Sequence, residues 1–191
     1  FFQACLGVQL KYSSGYYPTG NETLNEAETA MLDLTAEHAD LANGQRVLDL
    51  GCGWGSLSLY LAQRYPQSAI TSVSNSASQK EFIDGQAAQR GLSNLTVITA
   101  DMNSFSPTPA SGFDRIVSVE MFEHMRNWEK LLCRLHPLLR EGGKLFLQVF
   151  SHQQFFYPYE TEGDDNWMGR HFFTGGMMPT HDLLANLKIP F

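Results

Sequence analysis

Val47-Leu48-Asp49-Leu50-Gly51-Cys52-Gly53-Trp54-Gly55-Ser56-Leu57 is the stretch that decides the fold. A strand-like run, Val47 to Leu50, meets three alternating glycines and then an apolar-periodic stretch, Leu57, Leu59, Leu61 and Ala62. Strand, glycine turn and helix in that order bring a nucleoside ligand against bare main chain. Glycine suits the turn because a Cβ would block the approach or forbid a positive φ. A tight turn with no ligand is the alternative, yet three glycines in positions 51–55 lose much chain entropy on folding. The dinucleotide fingerprint G-x-G-x-x-G fits poorly, since its third glycine falls on Ser56.

Strand and helix patterns alternate on either side of this turn. A helix is predicted over 25–41, with capping-box spacing at Asn25 and Glu28, an apolar side of Met31, Leu32, Leu34 and Thr35, and a stop at Asn43-Gly44. The first strand is expected over 46–50, the second over Ala69 to Val73, the third over Leu95 to Thr99 and the fourth over Asp114 to Val119. A helix over 77–90 ends at Gly91, and Pro107, Pro109 and Gly112 mark a loop. Leu131, Leu132, Leu135, Leu138 and Leu139 form the apolar face of a later helix. Gly142-Gly143 then turn the chain into a fifth strand, Lys144 to Phe150. Such alternation predicts an α/β fold, a parallel sheet covered on both faces. From 151 onward the rhythm breaks into an irregular segment rich in aromatics (Phe155, Phe156, Tyr157, Tyr159, Trp167, Phe172, Phe173) and acids (Glu160, Glu162, Asp164, Asp165). It is either a substrate cover or a surface excursion whose aromatics pack down.

Length and composition bound the class. The 191 residues fit one domain, and 43% hydrophobic with 17% charged residues describes an ordinary globule. A net charge of −7 argues against a nucleic-acid partner. Cys5, Cys52 and Cys133 are scattered and form no C-x-x-C pair, so neither zinc nor a disulfide framework is suggested, and no metal is expected. His152, His171 and His181 lack metal-ligand spacing. No apolar run approaches membrane-spanning length, and nothing at the N-terminus reads as a secretory signal, so a cytoplasmic setting is expected.

The G-x-G-x-G spacing behind Asp49 resembles motif I of class I S-adenosylmethionine-dependent methyltransferases. Lys11-Tyr12-Ser13-Ser14-Gly15-Tyr16-Tyr17 and Ser118-Val119-Glu120-Met121-Phe122-Glu123-His124-Met125 resemble motifs of the cyclopropane-fatty-acid synthase superfamily. Phe172-Phe173-Thr174-Gly175-Gly176-Met177-Met178-Pro179 is most similar to its coclaurine N-methyltransferase-like branch. The resemblance implies a Rossmann-like open parallel sheet with S-adenosyl-L-methionine as cofactor. It divides the chain into a cofactor-covering segment (1–24), a cofactor-binding core (25–150) and a substrate-cover segment (151–191). The family has helices before the position of Phe1. Past Pro179 it continues with a helix and an antiparallel strand pair completing a seven-stranded sheet; that pair is expected to be missing here, and its residues are not assigned.

Residue roles follow from the same resemblance. Tyr12 and Ser13 close over the methionyl end, or pack as N-terminal structure. Gly51 and Gly53 let the loop lie against the methionine–ribose portion, and Asp49 orders that loop or meets the ammonium through water. Asn75 and Gln79 are candidates for the ribose, although Ser76 and Gln79 also have capping-box spacing. Asp101 and Met102 are placed at adenine, with a turn-forming Asp as the alternative. Glu120, Glu123 and His124 are the candidate catalytic group, sharing one face if the segment is helical. A protonated amine has no lone pair to attack with, so Glu123 or His124 would take or relay its proton and Glu120 would hold the cation. An acidic helix start is the plain alternative. Ser14 and Gln148 stand where cyclopropane synthases carry the Cys and His of a bicarbonate site, which makes lipid cyclopropanation the less favoured chemistry.

The sequence therefore implies methyl transfer to an amine nitrogen of a small molecule. A lipid-modifying cyclopropane-synthase-like enzyme and a non-catalytic cofactor-binding domain are the two alternatives. Acids and aromatics between Tyr157 and Phe173 suit a cationic aromatic amine, or form a solvated loop. Oligomeric state and acceptor identity are not encoded in any of these motifs.

Overall fold

A computed structural model describes residues 2–105 and 112–191; Pro107 and Pro109 of the expected loop lie outside them. The elements run α1 (Phe2–Cys5), α2 (Leu24–His38), β1 (Arg46–Leu50), α3 (Ser56–Arg64), β2 (Ala69–Ser74), α4 (Ala77–Gln89), β3 (Leu95–Thr99) and β4 (Phe113–Val119). Then follow α5 (Trp128–Leu135), β5 (Leu139–Gln148), β6 (Tyr157–Pro158), α6 (Trp167–His171), β7 (Met177–Met178) and α7 (Leu183–Asn186).

Five parallel strands form one open sheet in the order β3-β2-β1-β4-β5. Strand β1 is buried along nearly its whole length, as a strand covered on both faces must be. Leu48, Leu50 and Ile116 pack with Trp128, Leu131, Leu132 and Leu135 of α5 on one face. Val47, Ile70 and Val117 pack with Leu32 of α2 and Leu57 and Leu61 of α3 on the other. The strand order reverses between β1 and β4, and ligands of open α/β sheets bind in the crevice at such a reversal. Ser118 ties the two strands there by donating to the Leu50 carbonyl at 2.9 Å.

Three expectations change. The cap of α2 is Thr23, in a full capping box with Glu26, two residues before the expected Asn25–Glu28 pair. Asn25 and Glu28 instead hold the N-terminal segment: Val8 N donates to Asn25 Oδ1 (2.9 Å), and Gly7 N and Gln9 N donate to the Glu28 carboxylate (2.8 and 3.1 Å). Helix α5 ends at Leu135, so Leu139 belongs to β5 rather than to the helix face. Pro137 sits in a 3-10 turn, His136–Leu138, and lacks the N–H that a continuing helix needs. Gly142-Gly143 lie inside β5, at the register shift between Phe113↔Leu139 and Arg115↔Lys144, where a Cβ on Gly143 would stand 2.9 Å from the Phe113 and Arg140 carbonyl oxygens.

The segment after β5 is irregular, as expected, apart from α6, α7 and a small antiparallel pair of β6 with β7. No helix among the described residues is long and apolar enough to cross a membrane.

Candidate active site

A cavity of about 1180 Å³ opens at the carboxyl ends of β1, β2, β3 and β4. That is somewhat above the ~300–1,000 Å³ of ordinary ligand clefts, room for a nucleoside and a second small molecule. Tyr12, Ser13, Asp49, Gly51, Gly53, Asn75, Gln79, Asp101 and Met102 all line it, with Glu120 and His124.

The glycine turn forms its floor. Gly51, Gly53 and Gly55 have φ of 77°, 53° and 81°. Their reasons differ. A Cβ on Gly51 would run into the Met121 side chain, and one on Gly55 would meet Ile83 Cγ1 at 2.6 Å, whereas one on Gly53 would meet nothing within 4 Å. Gly51 and Cys52 both donate to the Val73 carbonyl at 3.0 Å, so those amides serve the fold. Both Gly51 and Gly53 line the cavity, but only Gly53 has open space where a Cβ would stand. Asp49 is 2% exposed and accepts from Ser58 Oγ at 2.6 Å, which in turn accepts from Ser72 Oγ at 2.8 Å. Burial raises its carboxyl to about 6. Cys52 packs with Leu59, Ile83, Ala87 and Val97 in a small apolar cluster.

Two ambiguous residues resolve in part. Ser76 caps α4 by accepting from Gln79 N, but the Gln79 carboxamide takes a hydrogen bond from Ser74 Oγ instead of closing the box. Asp101 does make a turn: its Oδ1 accepts from Asn103 N at 2.8 Å and Asn103 Nδ2 at 2.9 Å. Arg134 of α5 fixes the same loop from behind, donating to the carbonyls of Met102 (2.9 Å), Asn103 and Phe105 (2.7 Å).

The charged cluster after β4 is not one helical face. Only Phe122–His124 forms a 3-10 turn, too short for a shared stripe, and Glu120 precedes it at φ 50°. A non-glycine residue held in the left-handed region beside a cavity is stored strain of the kind found at functional sites. Glu120 N donates to the Gln148 carbonyl (2.8 Å), and Gln148 Nε2 donates to Glu120 Oε1 (3.4 Å). Glu123 is fully buried and stays off the cavity wall. Its Oε1 accepts from Phe150 N at 2.8 Å, while Oε2 has no partner among the described residues. Burial lifts this carboxyl to about 7. His124 stacks on Phe173 (5.0 Å, 25°) with Phe172 at 5.7 Å, and burial lowers its pKa, favouring neutral imidazole. Tyr159 backs Phe173 at 4.8 Å.

Phe172 and Phe173, aromatics of the expected substrate cover, do reach the cavity, whereas Phe150, Thr174 and Lys11 carried no individual role in the sequence. Phe150, Phe172, Phe173 and Thr174 complete the cavity opposite the glycine turn, and Lys11 enters it beside Tyr12 and Ser13. Glu160, Glu162, Asp164 and Asp165 are exposed and off the cavity wall, as a solvated loop would have them. His152 accepts from Gln154 N and Phe155 N in a local turn, and His171 and His181 are exposed. Ser14 is exposed outside the cavity.

Comparison with known proteins adds to this geometry. Residues 1–188 match the family described as mycolic acid cyclopropane synthetase. The chain is 43% identical over 178 residues to (S)-coclaurine N-methyltransferase of Thalictrum flavum subsp. glaucum, covering 93% of this chain and 49% of the relative. It is 30% identical over 191 residues to cyclopropane-fatty-acyl-phospholipid synthase of Escherichia coli (strain K12), covering 99% and 46%. A crystal structure of coclaurine N-methyltransferase bound to N-methylheliamine and SAH matches with a TM-score of 0.89 at 39% identity, covering 98% of this chain and 55% of that one. The chain thus spans about half the length of the curated relatives it matches.

Proposed function

The chain belongs to the mycolic acid cyclopropane synthetase family, and from that premise we propose that it carries the catalytic core of an S-adenosylmethionine-dependent methyltransferase acting on an amine nitrogen of a small molecule. The observation that carries the reading is one cavity lined by all nine residues assigned to the cofactor and by Glu120 and His124. The donor set suits the nucleoside: bare main chain at Gly53, amides at Asn75 and Gln79, and a carboxylate beside an apolar side chain at Asp101 and Met102. The named activity of the plant relative and of the matching structure supports an amine acceptor.

When bound, S-adenosylmethionine supplies an electrophilic methyl group on a sulfonium. The chain's part is to align, to handle a proton and to exclude water. Glu120 holds the cationic amine. His124, whose pKa is lowered by partial desolvation, takes the proton that blocks the nitrogen lone pair. Phe172 and Phe173 pack on the imidazole and orient it. Glu123 acts through position: its carboxyl fixes Phe150 on the acceptor side. Residues 1–24 cover the cofactor and 151–191 the acceptor, through Leu10 to Ser13 and Phe172 to Thr174 respectively. Three scattered cysteines suit a reducing cytoplasm, and the net charge of −7 suits a small cation better than a nucleic acid.

An amine-panel screen reading S-adenosylhomocysteine release tests the proposal. His124→Ala and Glu120→Gln are expected to lower kcat by about 10²–10⁴-fold while S-adenosylhomocysteine affinity holds. Bicarbonate-stimulated activity on phospholipid vesicles, with every amine inert, would replace this reading with the lipid one that the bacterial relative represents. Binding of S-adenosylhomocysteine with no acceptor methylated would leave only a binding domain.

A further inference from the structure

Lys11 is 5% exposed and lines the cavity. Burying an ammonium is costly unless it is paired. Its Nζ donates to Ser13 Oγ, a neutral acceptor, and among the described residues no carboxylate forms an ion pair with it. Glu28 and Glu120 act on it only as more distant charges. Both Glu28 oxygens already accept from the main chain, at Gly7 and Gln9.

The fold goes to some length to put this ammonium there. Three consecutive amides, Gly7, Val8 and Gln9, are bonded to Glu28 and Asn25 of α2. Leu10, the next residue, sits at φ 51°, in the left-handed region where a Cβ crowds the backbone. This bend turns Lys11 into the cavity. An ammonium has three donors, and the Ser13 hydroxyl uses one. An anion in the cavity it faces would complete its set of partners.

Building on the cofactor reading above, we propose that Lys11 is the counter-charge for the α-carboxylate at the amino-acid end of S-adenosylmethionine. Of the parts of that molecule, only the carboxylate is an anion, so the Lys11 end of the cavity fixes which way round it lies.

Calorimetry on the wild type and Lys11→Met, with S-adenosylhomocysteine and its decarboxylated analogue, tests the assignment without any turnover. The wild type is expected to prefer the carboxylate-bearing ligand by about 10–100-fold, and Lys11→Met to bind both alike. A wild type indifferent to the carboxylate overturns the proposal, and needs no variant to be folded. So does a folded Lys11→Met that keeps the preference. A wild type that binds neither ligand defeats the cofactor reading itself, and this assignment with it.

Discussion

The two walls of the cavity are built differently. The wall at the ends of β1, β2 and β3 is made of short connections from buried strands: the glycine turn, Asn75 and Gln79 before and within α4, and Asp101-Met102. Its polar groups are tied to neighbours, as in the Ser72–Ser58–Asp49 chain. The opposite wall gathers Glu120, His124, Phe150, Phe172 and Phe173 from distant stretches, around a strained Glu120 and a buried acid with one oxygen unpartnered among the described residues. The first wall is a preformed cradle and the second is an assembled, polar, more strained surface. That division is the one expected where binding demands rigidity and chemistry demands perturbed groups.

The largest expected effect tests where the walls meet. Gly51 carries the first wall, yet its missing Cβ leaves room for Met121 of the second. Gly51→Val should lose about 3 kcal/mol of stability or more, from the clash and the positive φ together. Gly53→Ala should lose only about 1 kcal/mol, the cost of its φ, but its methyl projects into the cavity and should weaken S-adenosylhomocysteine binding by about 10-fold or more. Denaturant unfolding and calorimetry on both variants check this. Equal stability losses would mean the two glycines serve the same purpose and would dissolve the distinction.

The contrast also explains what could be seen in the sequence. The first wall was legible because each element is local: a strand, a turn and a helix start lie within a dozen residues, so spacing places the glycine turn, while Asn75 and Asp101 follow at strand ends to which the family resemblance gave roles. The five parallel strands were legible for the same reason. The second wall was legible only as a motif. Nothing in the spacing of Glu120, Glu123 and His124 reveals that a 3-10 turn sends Glu123 behind the wall, because that depends on the positive φ at Glu120 and on Phe150 arriving from β5. Lys11 stood in a quoted motif without a role of its own, because a lysine normally belongs to the surface. Its burial comes from the bend at Leu10 and from Asn25 and Glu28, which spacing alone made look like a helix cap.

The second wall's buried acid gives a middle-sized effect with a defined sign. Burial raises Glu123 to about 7, above its unfolded value, so the folded chain holds the proton more tightly. Stability from this source is complete below the unfolded pKa and is lost as pH rises through about 7. Glu123→Gln cannot ionise and can still accept from Phe150 N. Between about pH 5 and about pH 8 its stability relative to the wild type should therefore improve by on the order of 2 kcal/mol. Asp49, raised to about 6, titrates alike in both proteins and cancels from the difference. Thermal unfolding across that range reads it, and a difference that does not change with pH would show that Glu123 is not the strained group of this wall.

The smallest effect concerns how the rigid wall stays rigid. Arg134 never reaches the cavity, but its guanidinium holds the carbonyls of Met102, Asn103 and Phe105 from the α5 side. Hydrogen bonds from a charged donor to several carbonyls of one loop order that loop, and lysine, a point charge, cannot reproduce the fork. Arg134→Lys should therefore weaken S-adenosylhomocysteine by about 3–10-fold, roughly 1 kcal/mol, through the loop that carries Asp101 and Met102. With the nucleoside saturating, kcat should stay within about two-fold, because the residues that handle the amine stand on the other wall. A drop in kcat without a loss of affinity would mean that strain passes from the adenine loop to His124, and the two walls would have to be treated as one.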